Sequence, residues 1–493
     1  MSRRSGTGQR GPEVRDLPGQ AQGSPGSSQA GPHPEAAAGP AVEGAPAPAD
    51  TRLRRRDLAL LLLITLVAFG LRAWRLDFPD KEYFDETYYT KAALNYLRGE
   101  PDSNTVHPPL GKECIALGMR LVNEIEAMAG RELLDVPGEA RVAPLLAGTA
   151  MIPLVYLLGL RLGRGSRLVA GSAAFLVAID FLHLVQSRIA MLDIFLAFFC
   201  LLGLWFTWLF LEDAEVGRPR RWAWVVLAAL SFGAATACKW NGIFGGFGAC
   251  LLMMMLGRPA DPPSDTRRQR LLRWLLPPLI FLVLVPPVYL ASYLPLFRRE
   301  GFKVQTLRTI YGYHENMVRF RYDPNQFKHR YLSYWWGWPV VYRPIWYYYE
   351  EAAPQATAAN PNPAKAVYGI VAMGSVLFWW TSLIYIGELG FYGVRYRDRR
   401  CLFLLVLYLS QWLLWAISTT GGFIFYMLPD VPLMALAAGL VLEDWRGSRG
   451  GAWMIASYLV AVLVVFALYY PYLTAYPASK PLFDRLFMPA SWK

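Results

Sequence analysis

The sequence predicts an all-α integral membrane protein with about eleven spans, and three observations carry that reading. Of its 493 residues, 54% are hydrophobic, more than a soluble protein of this size can bury. Eleven apolar stretches approach the roughly 20 residues that cross a bilayer. Arginines crowd alternate short connections, the bias that orients membrane helices. The formal charge of +12 is therefore a topology signal, and nucleic acid is not an expected partner.

Residues 1–50 come first, rich in Gly, Pro, Ala and Ser and poor in large apolar side chains. Such a stretch cannot bury enough surface to offset chain entropy, so it reads as a disordered cytoplasmic tail. The apolar run from Leu58 to Phe69 lacks a small-residue cleavage site behind it and reads as a retained signal anchor. Helices are expected over 57–75, 141–161, 167–184, 189–211, 222–239, 241–257, 271–291, 366–388, 401–418, 422–442 and 452–470. Residues 51–291 then form a catalytic membrane module and 366–493 a C-terminal one. With Arg52, Arg54, Arg55 and Arg56 inside, the even-numbered helices run into Arg161/Arg164/Arg167, Arg218/Arg220/Arg221, Arg267/Arg268/Arg270, Arg395/Arg397/Arg399/Arg400 and Arg446/Arg449. That alternation places the N-terminus in the cytoplasm and the C-terminus outside.

Two long connections, 76–140 and 292–365, lie outside in this scheme. TYYTKAALNYL and LGKECIALGMRLVNEIEAM space their apolar residues as amphipathic helices do, suited to a membrane surface. The second loop holds YLSYWWGWPVVYRPIWYYYE, Tyr331 to Glu350. It reads either as an interfacial aromatic belt or as a groove for a sugar or an extended acceptor. Cys114, Cys200, Cys238, Cys250 and Cys401 are scattered, with neither CxxC nor a Cys/His pair. They support no disulfide framework or zinc site.

The residues that could carry chemistry gather at the outer face. Asp85-Glu86 opens an amphipathic helix in the first outer loop. Helix N-termini favour carboxylates for dipole reasons alone, but a base for deprotonating a hydroxyl needs the same groups. His107 and Lys112 follow in HPPLGK, where two prolines start a helix. His107 could bond a carboxylate and Lys112 could reach a phosphate. Arg141 enters the second span from outside. Asp193 lies just inside another, where a carboxylate is costly and usually paired, with Arg188 or Lys239 as partner. Arg141, Arg188 and Lys239 at one depth suit a lipid-linked phosphate, stabilised as charge develops on it. Asp85, Glu86 and Asp193 are also the groups that would hold a divalent cation, although no cofactor is called for.

As an ordered set, DE in the first outer loop, HPPLGK, the R-x-x-x-L-x-A-G pattern at Arg141, RxxxLD at Arg188 and CKWNGIFG resemble the protein O-mannosyltransferases. STTGGFIFYMLPDVPLMALAAGLVL resembles their bacterial branch. The resemblance runs from about residue 57 to 470. It implies a GT-C type glycosyltransferase that moves mannose from polyprenyl-phosphate mannose to Ser or Thr of secreted proteins, with inversion, at the external face and coupled to secretion. It further implies Asp85 as base, Glu86 orienting acceptor or sugar, and Arg141 on the donor phosphate; Arg188 and Lys239 match motif positions of less defined role. Eukaryotic members insert a β-trefoil MIR domain between the seventh and eighth helices. The loop 292–365 is too short for one, as in bacterial members.

Two other classes compete. Another GT-C enzyme, such as a lipid A aminoarabinose transferase or an arabinosyl or mannosyl transferase acting on a glycolipid, shares topology and carboxylate; HPPLGK with CKWNGIFG argues against it. A secondary transporter would concentrate its polar residues near mid-membrane in broken helices, whereas these cluster at one face.

Overall fold

The computed structural model describes residues 53–257, 266–323, 329–352 and 365–492. The expected tail, 1–50, lies outside them. The chain begins with α1 (Arg55–Ala73), whose Asp57 accepts from the Arg54 backbone N–H at 2.8 Å and pairs with Arg167. Two amphipathic helices follow as expected, α2 (Glu86–Arg98) and α3 (Leu110–Ala129). Each buries one stripe, Tyr89, Thr90, Ala92 and Ala93 on α2 and Ile115, Ala116, Met119 and Val122 on α3. Gly99 stops α2 at φ 71°, a left-handed position that costs glycine nothing.

Helix α4 (Val136–Leu162) starts at Asp135, which accepts from the Gly138 N–H at 2.8 Å. The expected helix 167–184 is instead two. Helix α5 (Arg167–Ala178) ends, and Asp180 caps α6 (Phe181–Gln186) by accepting from the His183 N–H at 2.9 Å. The bundle continues with α7 (Asp193–Glu215), α8 (Arg221–Cys238), α9 (Gly242–Leu256) and α10 (Arg267–Ala291). The tight break between α8 and α9 falls at Lys239, as the sequence suggests. A Cβ on Gly203 would stand 2.5 Å from the Phe232 ring, so glycine is what lets α7 and α8 approach.

The second long connection folds into α11 (Leu294–Glu300), α12 (Val304–Tyr322) and a strand, β1 (Ile345–Ala352). Here the start of one expected helix needs correcting. Residues 366–372, read as the start of a membrane helix, form β2 (Ala366–Ala372), antiparallel to β1, and β3 (Ala478–Ser479) completes a three-stranded sheet. A short apolar run fits strand and helix alike, and Gly369 decides the matter locally: a Cβ there would lie 2.7 Å from the Trp346 ring that packs across it. The expected helix starts only at α13 (Val376–Tyr396), followed by α14 (Arg399–Leu413), α15 (Val431–Arg446), α16 (Gly451–Tyr469) and the short α17 (Lys480–Leu486).

The segment Ile424–Arg446 runs through the centre, 94% buried, while only 11% of the apolar window of α10 is buried. Exposed Leu271, Leu275, Leu279 and Leu282 make the outer face of α10 apolar, as a lipid-facing helix requires. Among the described residues, seven helices are long and apolar enough to cross a membrane by length and composition, and α5 and α9 are shorter apolar helices.

Candidate active site

The adjacent carboxylates Asp85 and Glu86 have different surroundings. Glu86 is wholly buried and faces Arg141, which donates Nε–H to Oε1 at 2.9 Å and Nη2–H to Oε2 at 3.0 Å. Ala190 N–H and Tyr83 N–H also reach Glu86, at 3.2 and 3.4 Å. Asp85 is the capping residue just before α2, half-buried, and its carboxylate makes no hydrogen bond or ion pair among the described residues. Phe84 before it takes φ 55°, a strained region for a bulky residue, and its ring is stacked on Tyr347 at 4.2 Å. Burial pushes the Asp85 carboxyl up to about 6; Lys239 opposes that rise and Asp193 adds to it.

Asp193 opens α7, where a carboxylate suits the helix dipole. Its partner is Lys239, at 3.0 and 2.8 Å, rather than Arg188. Lys239 also faces the rings of Phe425 and Tyr426, 5.2 and 5.7 Å away. His107 lies on the other side, its ring 6.1 Å from that of Tyr89. Burial and the cations Lys239, Lys112 and Arg321 hold its imidazole well below the usual range, hence neutral. Among the described residues, the His107 side chain forms no hydrogen bond to a carboxylate.

The expected phosphate ligands are engaged unequally. Arg141 uses all five N–H groups within the protein: two on Glu86, two on the carbonyls of Leu76 and Pro79 at 3.0 and 2.9 Å, and one on that of Lys81 at 2.9 Å. Lys112 gives its three protons to Asp102, the Asn104 carbonyl and the His107 carbonyl. Arg188 donates to the carbonyls of Arg72, Trp74 and Arg75 around the end of α1, the last two at 2.8 and 3.0 Å; cations favour such helix ends. Lys239 spends two contacts on Asp193 and, with three donors, keeps one for another acceptor.

Several residues around the site were not singled out from the sequence. Tyr347 accepts from Gln186 Nε2 at 2.7 Å. Arg321 binds Ser418 and the Gly421 carbonyl, and lies 5.6 Å over the Trp415 ring. The aromatic run pointed towards Tyr347; nothing in the local sequence marks Arg321 or Gln186. A cation-binding role is poorly supplied here. Glu86 has both oxygens on Arg141 and Asp193 has both on Lys239. No group of three His, Cys, Asp or Glu among the described residues is placed to hold a metal. The donor set does not fit a divalent ion.

Comparison with known proteins defines the class first. The fold matches the Saccharomyces cerevisiae protein O-mannosyltransferase Pmt1-Pmt2 complex, solved bound to the sugar donor, with a TM-score of 0.72 at 13% identity over 90% of this chain and 93% of that one. At that identity the likeness is one of fold. The family model described as dolichyl-phosphate-mannose-protein mannosyltransferase matches residues 62–297. Among curated relatives, the polyprenol-phosphate-mannose–protein mannosyltransferase of Mycolicibacterium smegmatis is 27% identical over 89% of this chain and 94% of its own. That of Mycobacterium tuberculosis is 28% identical over 88% and 91%.

Proposed function

We propose that this protein transfers mannose from polyprenyl-phosphate mannose to Ser or Thr hydroxyls of secreted or translocating proteins, inverting the anomeric centre. The observation that carries the reading is the uncommitted carboxylate of Asp85 beside the Lys239–Asp193 pair, at the head of a family domain named for this chemistry. The acceptor oxygen attacks the anomeric carbon while Asp85 takes its proton. The bond from that carbon to the phosphate oxygen breaks, and the polyprenyl phosphate leaves with the electron pair. Lys239 faces the developing charge with its remaining N–H. Arg141, Lys112 and Arg188 act at one remove, holding the loop that presents Asp85. Neutral His107 borders the same space, and Glu86 positions α2.

The same reading places the N-terminus in the cytoplasm, and the site and C-terminus on the external face, where acceptors emerge from the secretion translocon. The test is an assay of the purified full chain with radiolabelled polyprenyl-phosphate mannose and Thr-rich peptides. Labelled peptide, lost in Asp85→Asn, is the expected result. Label that enters glycolipid and never peptide overturns the protein acceptor in favour of a glycolipid one.

A further inference from the structure

Among the described residues, the sheet formed by β1, β2 and β3 is open along the outer edge of β1. β2 occupies one edge of β1, and β3 lies beyond β2. One face of β1 is covered by the first loop, through Tyr83 on Tyr348 at 6.3 Å, as Phe78 covers Tyr368 of β2 at 6.4 Å. The other face is covered by α17 and the residue after it, through Tyr349 on Phe483 at 5.6 Å and Trp346 on Phe487 at 5.0 Å. Among the described residues, the backbone of β1 makes no hydrogen bond away from β2. An unpaired row of N–H and C=O groups is a template for another strand.

That edge leads to the site. The strand is buried over Ile345–Tyr347 and accessible from Tyr348 to Ala352. A bulge between Trp346 and Tyr348 falls at Tyr347, and bulges re-aim side chains next to active sites. Tyr347 stacks on Phe84, the residue before Asp85. The acidic outer half is neutralised: Lys480 pairs with Glu351 at 2.6 Å, and Lys81 lies 3.8 Å from Glu350. Repulsion therefore does not close the edge to an incoming chain.

Resting on the transferase reading above, we propose that the free edge of β1 at Tyr348–Ala352 receives the acceptor polypeptide as an added strand and guides it to Asp85. Strand addition reads the backbone rather than the sequence, so acceptors need only be extended and carry a hydroxyl. In a strand, successive side chains alternate between faces, so one Ser or Thr at a time turns towards the base. Backbone N–H groups of the acceptor alternate likewise, towards β1 or away from it.

The test uses the full-length enzyme, radiolabelled polyprenyl-phosphate mannose, and a Thr-containing peptide N-methylated at one backbone position at a time. Methylation at alternate positions on one side of the Thr should raise KM at least tenfold, with the intervening positions within twofold. A photoreactive phenylalanine analogue at Tyr349 should crosslink the unmethylated peptide and lose that crosslink with the sensitive series. Transfer to the parent peptide without alternation overturns the added strand and leaves the transferase reading intact. No transfer even to the parent peptide defeats the reading itself, and the strand with it.

Discussion

Glu86 and Arg141 meet through two parallel hydrogen bonds, 2.9 and 3.0 Å, with both side chains wholly buried. The three remaining N–H groups of Arg141 hold carbonyls of the segment Leu76–Lys81. The pair thus fixes the approach of the preceding loop to α2, and the carboxylate of Asp85, one residue away, has no hydrogen bond or ion pair among the described residues.

Asp85→Asn should abolish transfer while leaving donor-lipid binding near wild type, because the base acts on the acceptor. It should also raise the thermal midpoint at pH 7.5. Burial raises the folded-state pKa from 3.8 to about 6. The stability linked to this carboxyl is therefore full below the unfolded value and lost as pH rises through the folded one. Melting in detergent and single-turnover assays measure the two effects separately. A lowered midpoint at pH 7.5 would contradict the burial argument.

In the wild type, kcat/KM for the acceptor should fall with unit slope as pH drops below about 6, following protonation of Asp85. A profile flat from pH 5 to 8 would remove Asp85 from the role of base.

Glu86→Gln should cost stability rather than chemistry alone. Breaking a buried ion pair from one side typically costs about 3–5 kcal/mol, since the remaining charge loses its partner. The expected signature is a thermal midpoint well below that of Asp85→Asn. Equal midpoints for the two variants would show that the pair does not hold the loop.

Lys239→Met strands the Asp193 carboxylate, so it should also destabilise by about 3–5 kcal/mol. The double variant Lys239→Met with Asp193→Asn removes both charges and should recover most of that loss. It should nevertheless bind donor lipid at least tenfold more weakly. Recovery of donor affinity along with stability would move the phosphate site away from Lys239.

Much of this was legible in the sequence. Each of the eleven expected segments contains a helix, because long apolar runs leave the backbone few other ways to satisfy its hydrogen bonds. The pairing of Glu86 with Arg141 was not legible: the two lie 55 residues apart, and the adjacency of Glu86 to Asp85 says nothing about it. Lys112 illustrates the same gap. A lysine after two prolines can serve a phosphate or partners within its own loop, and only the path of residues 102–107 assigns it to the Asp102 carboxylate and the Asn104 and His107 carbonyls. The strand at 366–372 was missed because its partners, Ile345–Ala352 and Ala478–Ser479, lie outside any local window.

The hydrogen bond from Trp346 Nε1 to the Trp492 carbonyl, 2.8 Å long, spans 146 residues. During synthesis, Asp85, Glu86 and Arg141 leave the ribosome long before the sheet can be buttressed. The loop that carries Asp85 therefore emerges early and the buttress of β1 late. A chain still being made has Asp85, Glu86 and Arg141 outside the ribosome but lacks the Trp346–Trp492 contact, which forms only after residue 492 has been added.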